Sequence, residues 1–203
     1  MIAIVNYGLG NLTSILNMCK HLGVDAVITS DYEVLHSARL LILPGVGHFK
    51  KGMDNLIKTG LKEVLDTVVL QDKKPILGIC LGAQLMTIHS EEGDVGGLQW
   101  VPARTVRFDT EKMNGLKVPH MGWSDIQVQD QNPLWQGLPK DPRFYHVHTY
   151  HFVFEEPNQV SATAKYGYEF ACAFQHENIY GVQFHPEKSH KYGMKVLQNF
   201  FEL

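Results

Sequence analysis

The sequence predicts an α/β protein with a mostly parallel central sheet flanked by helices and antiparallel β structure added to it. Three observations carry that expectation. Ile2–Val5, Leu40–Leu43 and the run from Pro75 to Cys80 are short, continuously apolar and bounded by turn residues, as strands buried on both faces are. Stretches at helical spacing alternate with them, and that alternation implies a parallel sheet wrapped by helices. From Leu98 the texture changes to alternating or aromatic pieces punctuated by Gly and Pro, which reads as antiparallel β structure.

Taken in order, strand Ile2–Val5 runs into the turn Asn6-Tyr7-Gly8-Leu9-Gly10-Asn11 and then a helix from about Leu12 to Leu22. Asn11 or Thr13 is the expected cap, and Gly23 stands where a helix ends. Gly8 and Gly10 resemble the start of a dinucleotide fingerprint, but the third glycine is missing at the required spacing, so a turn before a helix is the better reading. Val24–Thr29 and Leu40–Leu43 are the next strands, the latter stopped by Pro44-Gly45-Val46-Gly47. Met53–Val69 reads as amphipathic helix interrupted near Gly60. The later strands are Ala103–Phe108, Ser124–Val128, Phe144–His151, Ala171–Gln175 and Ile179–Phe184, and a helix follows from Tyr192 to Phe201. No repeat, low-complexity tract or linker divides the chain, so residues 1–203 are expected to form a single domain.

The totals exclude several function classes. A formal charge of -3 offers no electrostatic case for nucleic acid or an anionic membrane. No apolar run reaches transmembrane length, and Met1-Ile2-Ala3-Ile4-Val5 lacks the basic region and cleavage site of a signal peptide. Cys19, Cys80 and Cys172 are too scattered for a disulfide framework. A reducing, cytoplasmic setting is expected.

The chemistry centres on Gly78-Ile79-Cys80-Leu81-Gly82-Ala83-Gln84. A strand, a tight turn and a helix place Cys80 at a nucleophile elbow, with sulfur where such turns carry a hydroxyl. Unpaired N–H groups and the positive end of the helix dipole favour thiolate there. The N–H of Leu81 can meet the oxyanion formed when Cys80 attacks a carbonyl. A buried structural cysteine is the plain alternative, and a partner base decides between them. Strand Ile179–Phe184 supplies one, because it runs into His185-Pro186-Glu187. His185 and Glu187 can share a side, one moving the proton and the other fixing the imidazole tautomer. The Asn6–Asn11 turn, the Pro44–Gly47 turn and Cys80 all fall at carboxyl ends of strands, where ligands sit in such sheets.

The Cys80 elbow and the distant His185-Pro186-Glu187 resemble the class I (triad) glutamine amidotransferases. The closer resemblance is to the glutaminase subunits of imidazole glycerol phosphate synthases. It rests on Asn6-Tyr7-Gly8-Leu9-Gly10-Asn11, Leu43-Pro44-Gly45-Val46-Gly47, Ser90-Glu91-Glu92-Gly93, Pro119-His120-Met121-Gly122-Trp123 and Gly181–Ser189. The resemblance implies hydrolysis of L-glutamine to glutamate and ammonia through a thioester on Cys80, with no cofactor. It implies that Gly45, Val46 and Gly47 form an oxyanion strand whose peptide flip lets the Val46 N–H join that of Leu81. Gln84 and the backbone at His148, Thr149 and Tyr150 would hold glutamine. The family usually has serine where this chain has Thr149, and both keep the hydroxyl. Aspartate is commoner at Asn6, so an ion pair there is not carried over. Asn11, Trp123 and Lys188 would face a (β/α)₈-barrel cyclase that receives the ammonia and makes imidazole glycerol phosphate in histidine biosynthesis.

Four other readings stand beside this one. A paralogous glutaminase could supply ammonia for sugar amidination in surface-polysaccharide synthesis. A stand-alone cysteine hydrolase would use the same triad without a partner. A non-catalytic binding or regulatory domain would carry an unreactive Cys80. His146, His148 and His151 cluster, and His146 and His148 share a strand face. No Cys or carboxylate joins them at ligand spacing, so packing histidines and no metal are expected.

Overall fold

The computed structural model describes residues 1–113, 115–129 and 131–203. The helices are α1 (Leu12–His21), α2 (Tyr32–Ser37), α3 (Phe49–Lys58), α4 (Leu61–Asp66), α5 (Leu81–Leu85) and α6 (His190–Phe201). The strands of the first half are β1 (Ile2–Val5), β2 (Ala26–Thr29), β3 (Leu40–Gly45), β4 (Ile76–Cys80), β5 (Thr87–Ser90) and β6 (Val95–Gly96). Those that follow are β7 (Val101–Arg107), β8 (His120–Val128), β9 (Arg143–His148), β10 (Tyr150–Phe154), β11 (Val160–Tyr166), β12 (Tyr168–His176) and β13 (Ile179–Val182).

The main sheet runs β2-β1-β3-β4-β13-β12-β10-β7-β5-β6. Pairing is parallel from β2 through β13 and antiparallel from β13 to β7, while β5 lies parallel to β7. β11 joins β12 to β8, and β8 pairs with β9.

The continuous apolar runs are explained by two cores, one on each face. Ile2, Ile4, Leu40, Ile42, Leu77 and Ile79 pack on one side with Ile15 of α1 and Val196, Leu197 and Phe200 of α6. Ala3, Val5, Leu41, Leu43 and Ile76 pack on the other with Leu35, Met53, Leu56, Leu65 and Leu85 of α2 to α5. A period of two along each strand sends alternate side chains into opposite cores. Each buried Val, Leu, Ile, Met or Phe side chain among them contributes about 1.5–3 kcal/mol.

Several element boundaries differ from those the sequence predicts. β2 begins at Ala26, not Val24, and α3 begins at Phe49, not Met53. Gly60 does interrupt the following helix, at φ +72°. α2, β5, β6 and β11 were not expected. Asn11 occupies the cap position of α1, but no side-chain cap hydrogen bond forms there. The single strand Phe144–His151 is two strands, β9 paired with β8 and β10 paired with β7 and β12. The chain changes sheet partners at Thr149, and this break places Thr149 at the site.

Candidate active site

Four neighbouring parallel strands, β1, β3, β4 and β13, end on one rim, and the expected site residues lie there. Cys80 ends β4 with φ 52° and ψ -113°, a strained conformation for a side-chain-bearing residue. Two glycines make the turn possible. A Cβ on Gly82 would stand 1.8 Å from the Leu43 carbonyl oxygen, and one on Gly78 would stand 2.6 Å from Ala83 Cα. Helix α5 is thereby drawn onto the end of β3, whose Gly45 pairs with Cys80 in register.

His185 and Glu187 follow β13, the strand beside β4. The Glu187 carboxylate accepts at 2.8 Å from His185 Nδ1, and both side chains are buried, at 1% and 2% exposure. The turn is anchored from three directions. The His185 N–H donates to the Tyr145 carbonyl, and the Ser189 hydroxyl donates to the His185 carbonyl. The Tyr145 N–H donates to Ser189 Oγ. Burial opposes charge on His185, but hydrogen bonding and charge from Cys80 and Glu187 outweigh it and push its pKa up to about 10. The imidazole is therefore held as an imidazolium between sulfur and carboxylate.

A cavity of about 250 Å³ opens on this row. Its lining brings together Val46, Gly47, Cys80, Leu81, Gln84, His148, Thr149, Tyr150 and His185, all expected at the site, with Lys188, which was expected to face the partner. Gly45 lies behind them, packed against Gly82 and the Tyr7 hydroxyl. Gly47 has φ +125° and Val46 is 48% exposed, so no packed side chain holds the turn between them. Among the expected partner-facing residues, Trp123 stacks on His190 with ring centroids 5.6 Å apart, and Lys188 lies over the Tyr145 ring. Asn11 opens α1, which packs against the Pro186–Lys188 turn. Asn6, where an ion pair was not carried over, accepts from the Gly8 N–H instead.

Sequence reasoning missed Gln183. Its buried amide donates to Cys80 Sγ at 3.6 Å, and its Oε1 accepts from Gln84 Nε2 at 3.0 Å. Gln84 Nε2 also faces the Tyr150 carbonyl at 3.4 Å. A glutamine two residues before His185, in an otherwise apolar strand, was the available signal. The expected histidine cluster is also rearranged. His151 is turned toward the Tyr168 hydroxyl and the Phe152 carbonyl. His120 takes its place beside His146 and His148.

A parallel sheet carrying a cysteine elbow, with a His–Glu pair on the next strand, defines the class of triad glutamine amidotransferases. The family model described as glutamine amidotransferase class-I matches residues 3–203. The chain belongs to that family and, within it, to the imidazole glycerol phosphate synthase subunits named HisH. It is 48% identical over 202 residues to "Imidazole glycerol phosphate synthase subunit HisH 2" of Methanococcus maripaludis, covering 100% of this chain and 99% of the relative. It is 44% identical to the subunit HisH 2 of Pseudomonas aeruginosa, covering all of both chains. The subunit HisH of Bdellovibrio bacteriovorus is also 44% identical, again over 100% of each. Among solved structures, a glutamine amidotransferase superposes with a TM-score of 0.73 at 20% identity, covering 100% of this chain and 98% of that one. The glutaminase domain of Trypanosoma brucei CTPS superposes with a TM-score of 0.70 at 17% identity, covering 99% of this chain and 93% of that one. These two show the shared fold.

Proposed function

We infer that this chain is the glutaminase half of a two-subunit synthase, hydrolysing L-glutamine and passing ammonia to a cyclase that makes imidazole glycerol phosphate. The observation that carries the reading is Cys80 and His185 facing a cavity of about 250 Å³, with Glu187 on the far nitrogen of His185, in a chain 48% identical to a HisH subunit over its full length.

Each step has a residue. His185 already holds the proton as an imidazolium, and the Cys80 thiolate beside it attacks the side-chain amide carbon of glutamine. The Leu81 N–H and, after the Gly45–Gly47 turn reorients, the Val46 N–H hold the oxyanion. His185 returns the proton to the departing ammonia, leaving a glutamyl thioester on Cys80. A water deprotonated by His185 then releases glutamate. Glu187 fixes the imidazole and stabilises its charge, and Gln183 steadies the thiolate through its amide. His148, Thr149 and Tyr150 hold the substrate, with Gln84 bracing the wall behind them.

Ammonia released into water at neutral pH is mostly protonated and no longer nucleophilic. A closed passage into a partner prevents this by excluding water. Asn11, Trp123 and Lys188 lie where a (β/α)₈-barrel subunit would dock. The loosely held Val46 turn is the element through which such a partner would switch activity on.

The test is ammonia release from glutamine by the purified chain, alone and with an imidazole glycerol phosphate synthase cyclase and its nucleotide substrate. A large rise with both supports the reading, and Cys80→Ala should abolish it while leaving ammonia-dependent synthesis by the cyclase intact. Full glutaminase activity in Cys80→Ala would overturn the assignment. A paralogous glutaminase that supplies ammonia for sugar amidination is the competing outcome. Its chemistry on this chain is the same. No response to the cyclase, with Cys80 still alkylated by a glutamine-mimicking electrophile, would select it.

A further inference from the structure

Outside the Cys80–His185–Glu187 row, three buried histidines turn ring nitrogens toward one point. His146 and His148 lie two residues apart on β9, and the β8–β9 register sets His120 opposite His148. His120 Nδ1 is 3.2 Å from His148 Nε2, and His146 Nδ1 is 3.1 Å from that same atom. The three side chains are between 0% and 6% exposed.

Hydrogen bonds alone leave this cluster unsatisfied. His148 Nδ1 lies 2.7 Å from the Tyr150 carbonyl oxygen, which can only accept, so Nδ1 carries the proton. Nε2 of that neutral ring is then a single in-plane lone pair. Two other ring nitrogens face it. If both are protonated, two N–H groups compete for one acceptor; if either is not, two lone pairs confront each other. His146 Nε2, meanwhile, is buried with no partner among the described residues.

We propose that His120, His146 and His148 form a binding site for a divalent transition-metal ion of the zinc class. Such an ion takes neutral imidazole nitrogens at about 2.0–2.1 Å in a tetrahedron, which sets neighbouring ligand atoms about 3.3 Å apart. Two edges of the histidine triangle are already 3.1 and 3.2 Å, and all three atoms lie within 4.8 Å of one another. The outer nitrogens of two rings are supported as bound imidazoles require. His148 Nδ1 donates to Tyr150 O, and His120 Nε2 has Ser124 Oγ at 2.8 Å as its acceptor. Coordination through Nδ1 puts the protons of His120 and His146 on Nε2, so neutral rings bind the ion without net proton release, and His146 Nε2 alone keeps no partner among the described residues. Three histidines leave the fourth position to solvent.

The site has a consequence because His148 also lines the cavity beside Cys80. An ion would tie β8 to β9 and fix the cavity wall just before Thr149 and Tyr150. It takes no part in the triad chemistry, so its failure and that of the glutaminase reading are separable.

The test uses the full chain, stripped with a chelator and titrated with Co²⁺ as a spectroscopic stand-in for Zn²⁺. The wild type should take up one equivalent with the intense visible bands of tetrahedral cobalt, and Zn²⁺ should raise Tm with saturation at one equivalent. His146→Phe keeps a ring in the buried space, removes the unpartnered nitrogen and should fold. Its affinity should fall by about 100-fold or more, since losing a ligand exceeds the roughly 10–100-fold cost of losing an outer hydrogen bond. His36→Ala, at an exposed histidine beside Asp72, should bind as the wild type does. Absence of saturable binding in the wild type, or equal binding by His146→Phe, would overturn the site. X-ray absorption of the wild-type zinc form gives a reading independent of any variant. Three imidazole ligands support the site, and one or none refutes it.

Discussion

Replacing Gly82 by alanine tests whether the close approach of α5 to β3 sets the catalytic geometry. The added Cβ would sit 1.8 Å from Leu43 O, 2.7 Å from Leu43 C and 3.1 Å from Pro44 C. A carbon and a carbonyl oxygen come no nearer than about 3.3 Å in close C–H···O contacts, so helix or strand end must retreat by about 1.5 Å. The atoms struck are backbone, with no side-chain rotamer to yield. They lead directly into Gly45-Val46-Gly47, while Leu81 is the residue before the substitution. The two proposed oxyanion donors therefore move apart. Misplacement by about 1 Å costs on the order of 100-fold in turnover, and such overpacking costs about 1–3 kcal/mol in stability. The assays are kcat/KM for glutamine in the activated complex and the urea unfolding midpoint. Gly23→Ala is the control, because φ is +70° there but nothing lies within 4 Å of the added atom. It should lose about 1 kcal/mol from backbone strain and keep its activity. A Gly82→Ala variant within about threefold of wild-type kcat/KM would refute the argument that this approach fixes the oxyanion site.

Two further outcomes follow from other parts of the structure. Glu187→Gln keeps the shape of the acceptor but removes its charge, so kcat should fall roughly 100-fold or more, yet less than in Cys80→Ala. With its pKa raised to about 10, His185 contributes stability that is complete below its ordinary value near 6.5 and is lost as pH rises through about 10. Glu187→Gln should move that alkaline loss, and the alkaline limb of the rate profile, to lower pH by about one unit or more. An unmoved limb would show that the carboxylate does not hold the proton. Asp66→Ala removes the acceptor of the buried Trp100 Nε1–H, bonded at 2.7 Å, together with an ion pair to Lys62. Urea unfolding should show a loss of about 1–3 kcal/mol, nearly all from the stranded indole N–H, with glutaminase turnover unchanged.

The parallel half of the fold was legible because its strands are buried on both faces. Leu40–Leu43 and Ile76–Ile79 can then hold nothing but apolar side chains, and turns must punctuate them. Helix α2 escaped notice because Leu35 is its one buried residue, and a single anchor makes no period. β11, Val-Ser-Ala-Thr-Ala-Lys-Tyr, is built of small residues whose strand role comes from neighbours on both sides. The exchange of partners at Thr149 is a long-range event with no local mark. At the site, Cys80, His185 and Glu187 were legible because the elbow and the His-Pro-Glu turn are local chemistry. Gln183 was not, since its meaning depends on β13 lying beside β4. His120 was missed for the same reason, because only the pairing of β8 with β9 brings it to His148.

That β13 lies beside β4 also governs when the chain can first act. Gln183 and the sulfur it bonds are separated by 103 residues, and His185 lies beyond them. A ribosome delivers the nucleophile early and its base late, so a half-made chain holds an inert thiol however long translation pauses. The intervening residues form α5 and β5 through β13, and strand pairings of such long range are slow to close. Chemistry and completion of the sheet thus arrive as one event. A truncated or stalled copy has no means of squandering glutamine.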